Sequence, residues 1–567
     1  MTPLVIGVTS HRNIPAREIE AIRARVRDLF ARLQHEFPHS PLIVLSALAE
    51  GGDQLVAEEA LRSGARLIAP LPLPRDLYER DFTDAATREN FSALCARAQV
   101  IQLPLLPGHT SQGIERHGVE RDRQYAQAGV FIARHCHLLL AIWDGKRSDL
   151  LGGTAQVVQY YLSGAMPGLI ERRRGARRYL FGSGDERLVC HIVCSRDAAD
   201  RAPEPPLQVG QVLWRTANEI SAPDAAMPSP FRAVFAHADA FNADAAKYHG
   251  QIAAADGQDA GATTTGRTEE RLPSIALLFR AADWLAVHFQ KRVLLAMRIT
   301  YTVAALMGIA FAVYDNLTAQ GGMIYAFLLL FVAGIIISTL AKRRGWHRKY
   351  LDYRALAEGL RVQGYWHRAG ISLTGDLEFA HDNLLQKQDI ELGWTRNVMR
   401  SAGLDDTTPQ NAGTLREVIH EWVGDNPQDG QLGYYRRKTA QRERTHRLTE
   451  AIGATSLYVG IGISVVLAAL AYRLSADAKN DLIVIMAVFS VAAAVREAYA
   501  YRKADKELIK QYRFMQRIFA DARAALDHAQ DADERRDILR ALGEAALAEH
   551  AEWAMMHRQR PLEHGRM

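Results

Sequence analysis

Small, hydroxyl-bearing and charged residues follow three separate apolar runs in the N-terminal part of this 567-residue chain. Glycines let a backbone approach an anion closely, and a helix that begins directly after them offers unpaired N–H groups to that anion. Hydroxyls add further donors, and an arginine adds a bidentate cation. This chemistry suits phosphate, and carboxylates among these groups suit a ribose hydroxyl or a base. The candidate residues are Gly7, Thr9, Ser10, His11, Arg12, Glu50, Gly51, Gly52, Asp53, Asp144, Gly152, Gly153 and Thr154.

Each of these signals also has an ordinary structural interpretation. A Gly-Gly pair before a helix is usually a turn, and Asp53 could simply cap its helix. His11 could be a solvated turn residue. The coincidence of three such loops in one part of the chain favours a nucleotide ligand over these separate explanations.

The elements that must position these residues alternate between strand and helix patterns over the first 200 residues. The run PLVIGVTS predicts a strand, and AREIEAIRARVRDLFARLQHEF predicts a helix with an apolar period of about 3.6 residues. The alternation continues through LLLAIWDG and LVCHIVCSR. It predicts an α/β fold with a Rossmann-like, doubly wound parallel sheet, in which ligands bind at the carboxyl ends of the strands. The candidate residues stand at those ends.

Four apolar segments further along the chain approach the length that a helix needs to cross a bilayer. The first pair covers residues 299–317 and 323–341, and the second pair covers residues 451–472 and 482–495. The last segment is short and needs flanking residues to span the hydrocarbon. A single such segment could be a buried core helix, but two closely spaced hairpins favour membrane spans. The sequence therefore predicts an all-α membrane domain with four transmembrane helices and cytosolic helical extensions.

Lysines and arginines flank the outer ends of both hairpins and are scarce in the turns inside them. The positive-inside rule therefore predicts a multi-pass protein with its N- and C-termini in the cytoplasm. The opening residues MTPLVIGV lack the basic region and cleavage site of a signal peptide, which agrees with this orientation. Amphipathic helices after each hairpin have apolar faces that must be covered by one another, in a cytosolic bundle, or by neighbouring subunits. We expect a homo-oligomer, because that is the usual way to build a pore from few helices.

These patterns divide the chain into five parts. We expect a nucleotide-binding domain over residues 1–200 and a linker with a partly disordered loop over residues 201–274. The first transmembrane hairpin with its flanking helices covers residues 275–371, and a cytosolic helical connector covers residues 372–435. The second hairpin and the C-terminal cytosolic helices cover residues 436–567.

The composition argues against several other classes of protein. A net charge of +5 is small for this length, so we expect no nucleic acid partner. Four cysteines are too few for a disulfide scaffold. Cys190, His191 and Cys194 stand close together in VCHIVC, but nothing nearby supplies the other half of a zinc site. We therefore expect reduced structural thiols, no metal and no cofactor.

Several motifs of the first 200 residues, in this order along the chain, resemble the SLOG superfamily. They are GVTSHR, LSALAEGGDQLVAEEAL, APLPLPRDLYERDF, LLLAIWDG and GGTAQVV. Relatives in that superfamily include the LOG phosphoribohydrolases and ligand-sensing domains of bacterial conflict systems. The membrane part, with KYLDYRALAEGLRVQGYW after a hairpin, is similar to the SLATT-type two-helix membrane effector domains that accompany SLOG domains.

The resemblance implies a membrane effector in the inner membrane of a bacterium, with a cytosolic domain that senses a nucleotide-derived second messenger. The expected ligand is a nucleotide or cyclic nucleotide derivative. The expected partners are the lipid bilayer, that messenger and further copies of the same chain. The expected response is an ion channel, pore or other membrane disruption in antiviral defence against phage.

The resemblance also bears on catalysis, because LOG hydrolases carry Gly-Thr followed by two residues and a glutamate. Here Thr154 is followed by two residues and then Val157, so that position has no acid or base. Glu50 or Asp144 could take its place, and a membrane-anchored hydrolase of the phosphoribohydrolase type is therefore the alternative to a sensor. A scaffold that recruits a partner through its helices is a third possibility.

Overall fold

A computed structural model of the chain describes residues 1–170, 187–197, 202–255, 274–317, 320–371, 384, 390–402, 404, 412–426 and 428–558. The chain divides into two compact units, each built from two stretches of sequence. One unit comprises residues 1–278 and 385–407, and we call it the sheet domain. The other comprises residues 279–384 and 408–567, and we call it the helical unit.

A seven-stranded sheet forms the centre of the sheet domain. Its strands are β1 Leu4–Ser10, β2 Leu42–Leu45, β3 Arg66–Leu71, β4 Gln99–Gln102, β5 Leu138–Trp143, β6 Leu188–Val193 and β7 Val212–Arg215. They lie in the order β4-β3-β2-β1-β5-β6-β7, and every neighbouring pair is parallel except β6 with β7. The expected α/β architecture with a mainly parallel sheet is therefore confirmed, and one antiparallel strand is added at an edge.

β1 and β5 are central strands whose residues are almost all buried, as is usual for strands with cover on both faces. They pair from Ile6 opposite Leu138 to Ser10 opposite Ile142. The strand order reverses between them, because β2, β3 and β4 extend the sheet on one side and β6 and β7 on the other. Such a reversal separates the loops that follow the two strands and leaves a crevice between them.

Helices lie between strands and after the last strand, and several of them pack against the sheet. They are α1 Ala16–Glu36, α2 Gly52–Arg62, α3 Arg75–Glu79, α4 Ala85–Arg97, α5 Ser111–Glu115, α6 Val119–His135, α7 Thr154–Ser163, α8 Ser229–Lys247 and α9 His249–Ala255. In α1, Ile22, Val26, Leu29 and Leu33 recur at helical spacing, and all four are buried. The apolar face of the helix thus covers the sheet, as its sequence pattern predicts.

The sequence predicts a linker over residues 201–274, but the structure places β7 and α8 there. Trp214 of β7 and Phe235 and Phe241 of α8 are buried, so this part completes the core of the sheet domain. The prolines and polar residues around these short apolar patterns conceal them in the sequence. The run expected to be disordered falls mainly on residues 256–273, which lie outside the described residues.

The sequence also predicts a cytosolic connector over residues 372–435, yet helix α10 Gly393–Ser401 belongs to the sheet domain. Trp394 of this helix packs on Phe241 of α8, with ring centres 5.7 Å apart. Leu404 lies in the same buried apolar core as residues of α6 and α7. This segment returns to the sheet domain because its apolar side chains find cover there.

The described residues of the helical unit form helices. They are α11 Ile275–Asn316, α12 Met323–Arg343, α13 Trp346–Arg368, α14 Ala412–Val418, α15 Gly430–Ala469, α16 Ala476–Lys503, α17 Asp505–His528 and α18 Ala532–Arg558, with a π-helical turn at Ile419–Val423. Four of them, α11, α12, α15 and α16, are long and apolar enough to cross a membrane. α11 and α15 also extend well beyond the apolar segments that the sequence predicts.

Candidate ligand-binding cleft

A cavity of about 750 Å³ opens at the carboxyl ends of β1 and β5, where the strand order reverses. Its volume lies within the usual range of small-molecule sites. The walls come from the loop after β1, the segment Tyr78–Thr83, helix α6 and the loop that leads into α7. The sequence-predicted residues that line it are Thr9, Ser10, His11, Arg12, Asp53, Gly152, Gly153 and Thr154.

Five further sequence-predicted residues do not line this cavity. Two of them, Gly7 and Glu50, have other structural roles. Gly7 stands inside β1, where a Cβ atom would lie 2.7 Å from Ile132 and 2.8 Å from Sγ of Cys136. It is therefore a close-packing glycine of the core. Glu50 accepts a hydrogen bond from the hydroxyl of Thr83, so its carboxylate ties the loop after β2 to a wall of the cavity without lining the cavity itself.

Gly51 and Gly52 bring the loop after β2 against the loop after β1. Gly51 has a φ of 90°, and a Cβ atom on it would lie 2.1 Å from the carbonyl oxygen of Arg12. The N–H of Gly52 donates to the carbonyl oxygen of His11 at 3.2 Å. These glycines therefore fix the backbone that presents His11 and Arg12, and they need not contact a ligand.

Asp144 lies behind His11 and Arg196, which both line the cavity. Nε2 of His11 is 3.1 Å from Oδ1 of Asp144, and Nε of Arg196 is 2.8 Å from its Oδ2. Burial opposes ionisation of Asp144, but His11, the backbone N–H of Lys146 and Arg196 outweigh it and hold the pKa below its ordinary value. Asp144 is therefore an ionised carboxylate that orients two cavity residues.

Two arginines bring positive charge to the cavity without a carboxylate partner. Arg12 and Arg80 both line it and are exposed, and neither forms an ion pair within the part of the chain that the structure describes. Cζ of Arg12 lies 5.5 Å from the centre of the Tyr125 ring, within the range of a cation–π contact. Arg121, in contrast, is buried and donates to Asp81 at 2.7 Å. Arg12 and Arg80 are thus the cations best placed to contact an anionic ligand, while Asp53 and Asp81 lie within electrostatic range of Arg12.

Asp53 is the carboxyl group among the sequence-predicted residues that lines the cavity. It stands in the first turn of α2, is buried, and accepts a hydrogen bond from the hydroxyl of Ser10 at 2.5 Å. Burial raises its pKa to about 7, although the hydrogen bond from Ser10 and the charge of Arg12 act in the opposite direction. A carboxyl group with this pKa can give or take a proton near neutral pH.

Helix α7 begins at the wall of the cavity. Gly153 is its N-cap residue and provides no capping side chain, and Gly152 before it has a φ of 75°. The hydroxyl of Thr154 donates to the carbonyl oxygen of Ser10 at 2.8 Å, so this side chain ties the two loops together. The first N–H groups of the helix and the positive end of its dipole provide a place for an anion.

Val157 occupies the position at which the resemblance places the glutamate of a LOG hydrolase. It is buried in the apolar core, and a Cβ atom on Gly129 would lie 2.6 Å from its Cγ2 atom. Neither Glu50 nor Asp144, the two proposed substitutes, lines the cavity. The carboxyl and imidazole groups that do line it belong to Asp53, Asp81, Asp122, His11 and His117. Asp53 is the one of them that stands in the first turn of α2.

Several residues that line the cavity are not among those predicted from the sequence. They are Tyr78, Arg80, Asp81, Arg121, Tyr125 and Arg196. Arg196 could have been predicted, because it follows β6 just as Arg12 follows β1. Parallel strands end at one edge of the sheet, so both arginines are expected there. Arg121 and Tyr125 stand inside the long helix α6, where nothing in the local sequence separates a cavity residue from a surface residue.

Within the described ranges, no group of three or more His, Cys, Asp or Glu side chains could hold a metal ion. The cysteines are free and buried. Neither a protein-family model nor a curated protein matches this chain.

Proposed function

We propose that this chain is a membrane effector whose sheet domain senses a nucleotide-derived second messenger. The observation that carries the proposal is the cavity at the strand-order reversal, where Arg12 and Arg80 have no carboxylate partner and α7 begins. A phosphate-bearing ligand would neutralise these charges, because a guanidinium binds phosphate oxygens in a bidentate manner.

The other walls of the cavity suit the remainder of a nucleotide. Tyr125 and Phe82 contribute aromatic surface, on which a base can stack. Asp53 and Ser10 contribute polar groups that can meet a ribose hydroxyl or the edge of a base. A volume of about 750 Å³ accommodates a nucleotide.

The membrane response is the second part of the proposal, and it is supported by the four helices that are long and apolar enough to span a bilayer. The chain crosses between the sheet domain and the helical unit at residues 278–279, 384–385 and 407–408. A ligand that favours one arrangement of the sheet domain would act on the helices through these links. With the resemblance to SLOG and SLATT domains, we propose that a homo-oligomer in a bacterial inner membrane then forms a pore or disrupts the bilayer during phage infection.

The binding test uses the full chain in lipid nanodiscs and follows its thermal unfolding. Nucleoside monophosphates, cyclic di- and trinucleotides, and NAD-derived cyclic ADP-riboses are added separately. We expect one class to raise the unfolding temperature, and Arg12→Ala combined with Arg80→Ala to abolish that shift. Arg32→Ala, which removes an exposed arginine from α1, is the matched control and should keep the shift. A shift that persists without Arg12 and Arg80 would contradict the proposed site.

The response is tested with ion-loaded liposomes that contain the full chain. The compound that stabilises the protein should release the ions, and Arg12→Ala should prevent the release. Stabilisation without release would retain the binding site but contradict the proposed pore.

Asp53 favours a second candidate function, a membrane-anchored nucleotide hydrolase. A buried carboxyl with a pKa of about 7 is typical of a general acid. Chromatography of the stabilising compound after incubation separates the two functions. Intact compound supports the sensor, whereas a free base or ribose phosphate that is no longer produced by Asp53→Asn supports the hydrolase.

A further inference from the structure

The basic residues at the bases of the two hairpins differ in ion pairing. Over residues 284–314 and 320–351 the chain contains no Asp or Glu, and Asp315, beside the turn of the first hairpin, is the one carboxylate between these two ranges. Six basic residues in these ranges form no ion pair with any described residue: Lys291, Arg292, Arg298, Lys342, Arg343 and Arg344. We call these six residues the first-hairpin patch.

Arg298 and the three basic residues at the end of α12 lie at one level of the hairpin. Arg298 is 18 residues before the end of α11 at Asn316, and Lys342 is 19 residues after the start of α12 at Met323. At about 1.5 Å per residue, both lie roughly 27–29 Å from the turn, close to the thickness of the hydrocarbon core. Arg292 lies 24 residues before Asn316, about 36 Å from the turn. Its Cζ is 5.7 Å from the centre of the Trp346 ring, so α11 contacts the start of α13 beyond that level.

The second hairpin has carboxylates among its basic residues. Arg442 and Lys503 pair with Asp505 at 3.2 Å each, and Arg513 pairs with Glu443 at 2.7 Å. Three further pairs at this base are Arg447 with Glu443, Lys506 with Glu450, and Arg496 with Glu497. Much of the positive charge of the second hairpin is therefore compensated within the chain.

We propose that the first-hairpin patch binds the headgroups of anionic phospholipids and contributes more to this preference than the base of the second hairpin. An uncompensated cation at a membrane surface attracts an anionic leaflet, whereas a cation paired with a carboxylate adds little net field. Lys342, Arg343 and Arg344 are exposed, as this contact requires. Trp346, two residues after Arg344, is of the type that anchors helices at the interface. The inference rests on the proposed function only in that the hairpins span the bilayer.

The test uses the full chain in phosphatidylcholine vesicles with a trace of spin-labelled lipid, and no nucleotide is added. Electron paramagnetic resonance gives the fraction of label that the protein immobilises. We expect labelled phosphatidylglycerol to be immobilised more than labelled phosphatidylcholine, and high salt to reduce the difference. Lys342→Gln, Arg343→Gln and Arg344→Gln in one variant should remove most of the preference.

Two control variants separate the effect of removing positive charge from the patch from any effect of disturbed structure. The charge-preserving variant Lys342→Arg, Arg343→Lys and Arg344→Lys should keep the preference. Arg496→Gln combined with Glu497→Gln removes an ion pair from the second hairpin without changing net charge or freeing another cation, and it should also keep the preference. All variants should immobilise phosphatidylcholine to the same extent as the parent chain, which shows that they are inserted.

Several outcomes would overturn the inference. The first is equal immobilisation of both lipids by the parent chain, and the second is an unchanged preference in the glutamine variant. The third is a loss of preference in the second-hairpin control that equals the loss in the glutamine variant. Suppression of the preference by millimolar inorganic phosphate would assign the patch to a soluble phosphate instead. Failure of the sheet domain to bind nucleotides would leave these lipid measurements unchanged, whereas failure of the hairpins to insert would abolish the immobilised signal of both lipids.

Discussion

Asp53 is buried in the cavity wall and makes the stability of the sheet domain depend on pH. Its pKa is about 7 in the folded protein and has the ordinary value of 3.8 in an unfolded chain. At a pH between these two pKa values, Asp53 is ionised in the unfolded chain but keeps its proton in the folded protein. The free energy of unfolding therefore falls as the pH rises from about 4 to about 7. Asp53→Asn keeps an oxygen that can accept from Ser10 but cannot ionise, so this contribution should disappear.

The size of the effect follows from the difference between the two pKa values. At about 1.4 kcal/mol per pKa unit, the change from 3.8 to about 7 corresponds to at most about 4 kcal/mol. Between about pH 5 and about pH 8, roughly 2 to 3 kcal/mol of this should develop as a stability gap in favour of Asp53→Asn. The gap between the two melting temperatures should widen by roughly 5 to 10 °C over that range.

The cysteines provide an assay that reports on the sheet domain. The chain has four, Cys95, Cys136, Cys190 and Cys194, and all are free and buried in this domain. Dithiodipyridine reacts with thiols in acid as well as in neutral solution, so it follows their exposure on heating at each pH. The full chain in nanodiscs is suitable, because the helical unit contains no cysteine.

Asp28→Asn is the matched control, because Asp28 is an exposed residue of α1. This variant should follow the parent chain at every pH. A constant gap between Asp53→Asn and the parent chain from pH 5 to pH 8 would refute the reasoning. It would mean that Asp53 is already ionised in the folded protein throughout this range.

Three further predictions concern other parts of the chain. Gly51→Ala should cost about 1–3 kcal/mol in the thiol assay and weaken the nucleotide response, because its Cβ atom would lie 2.1 Å from the carbonyl oxygen of Arg12. Glu549→Gln should raise the melting temperature of the helical unit, measured by circular dichroism, at pH 8 but not at pH 4. Burial and the charge of Glu358 raise the pKa of Glu549 to about 8, and an unfolded chain ionises near 4.5. Leu404→Ala should cost about 2–5 kcal/mol in the thiol assay, because Leu404 lies in the core of the sheet domain; an unchanged melting temperature would contradict its docking there.

The location of the cleft could be predicted from the sequence because it depends on backbone topology. Alternating strand and helix patterns predict parallel strands, and parallel strands end at one edge of the sheet. The loops after β1 and β5 must then lie at that edge, whatever their residues are, and the structure makes the two strands neighbours. This reasoning reaches Arg12 and Thr154, which stand directly after a strand or at the start of a helix.

The rest of the cleft depends on packing between elements that are distant in the sequence. Arg121 and Tyr125 reach the cavity only because α6 packs beside β1, and the helical pattern does not reveal which face does so. The structural roles of Glu50 and Asp144 could not be predicted from the sequence either. The hydroxyl of Thr83 engages Glu50, and Arg196 faces Asp144, and neither contact has a local signal in the sequence.

The segment from Ile390 to Leu404 sets an order of events during synthesis of the chain. Leu404 fills part of the core of the sheet domain, but the ribosome reaches it only after residues 299–341 have been made. The first apolar hairpin must therefore emerge, and meet its membrane or a chaperone, before the sheet domain can complete its core. Until then Phe241 lacks its contact with Trp394. The domain that would bind the messenger thus matures only after the first membrane segment has been produced.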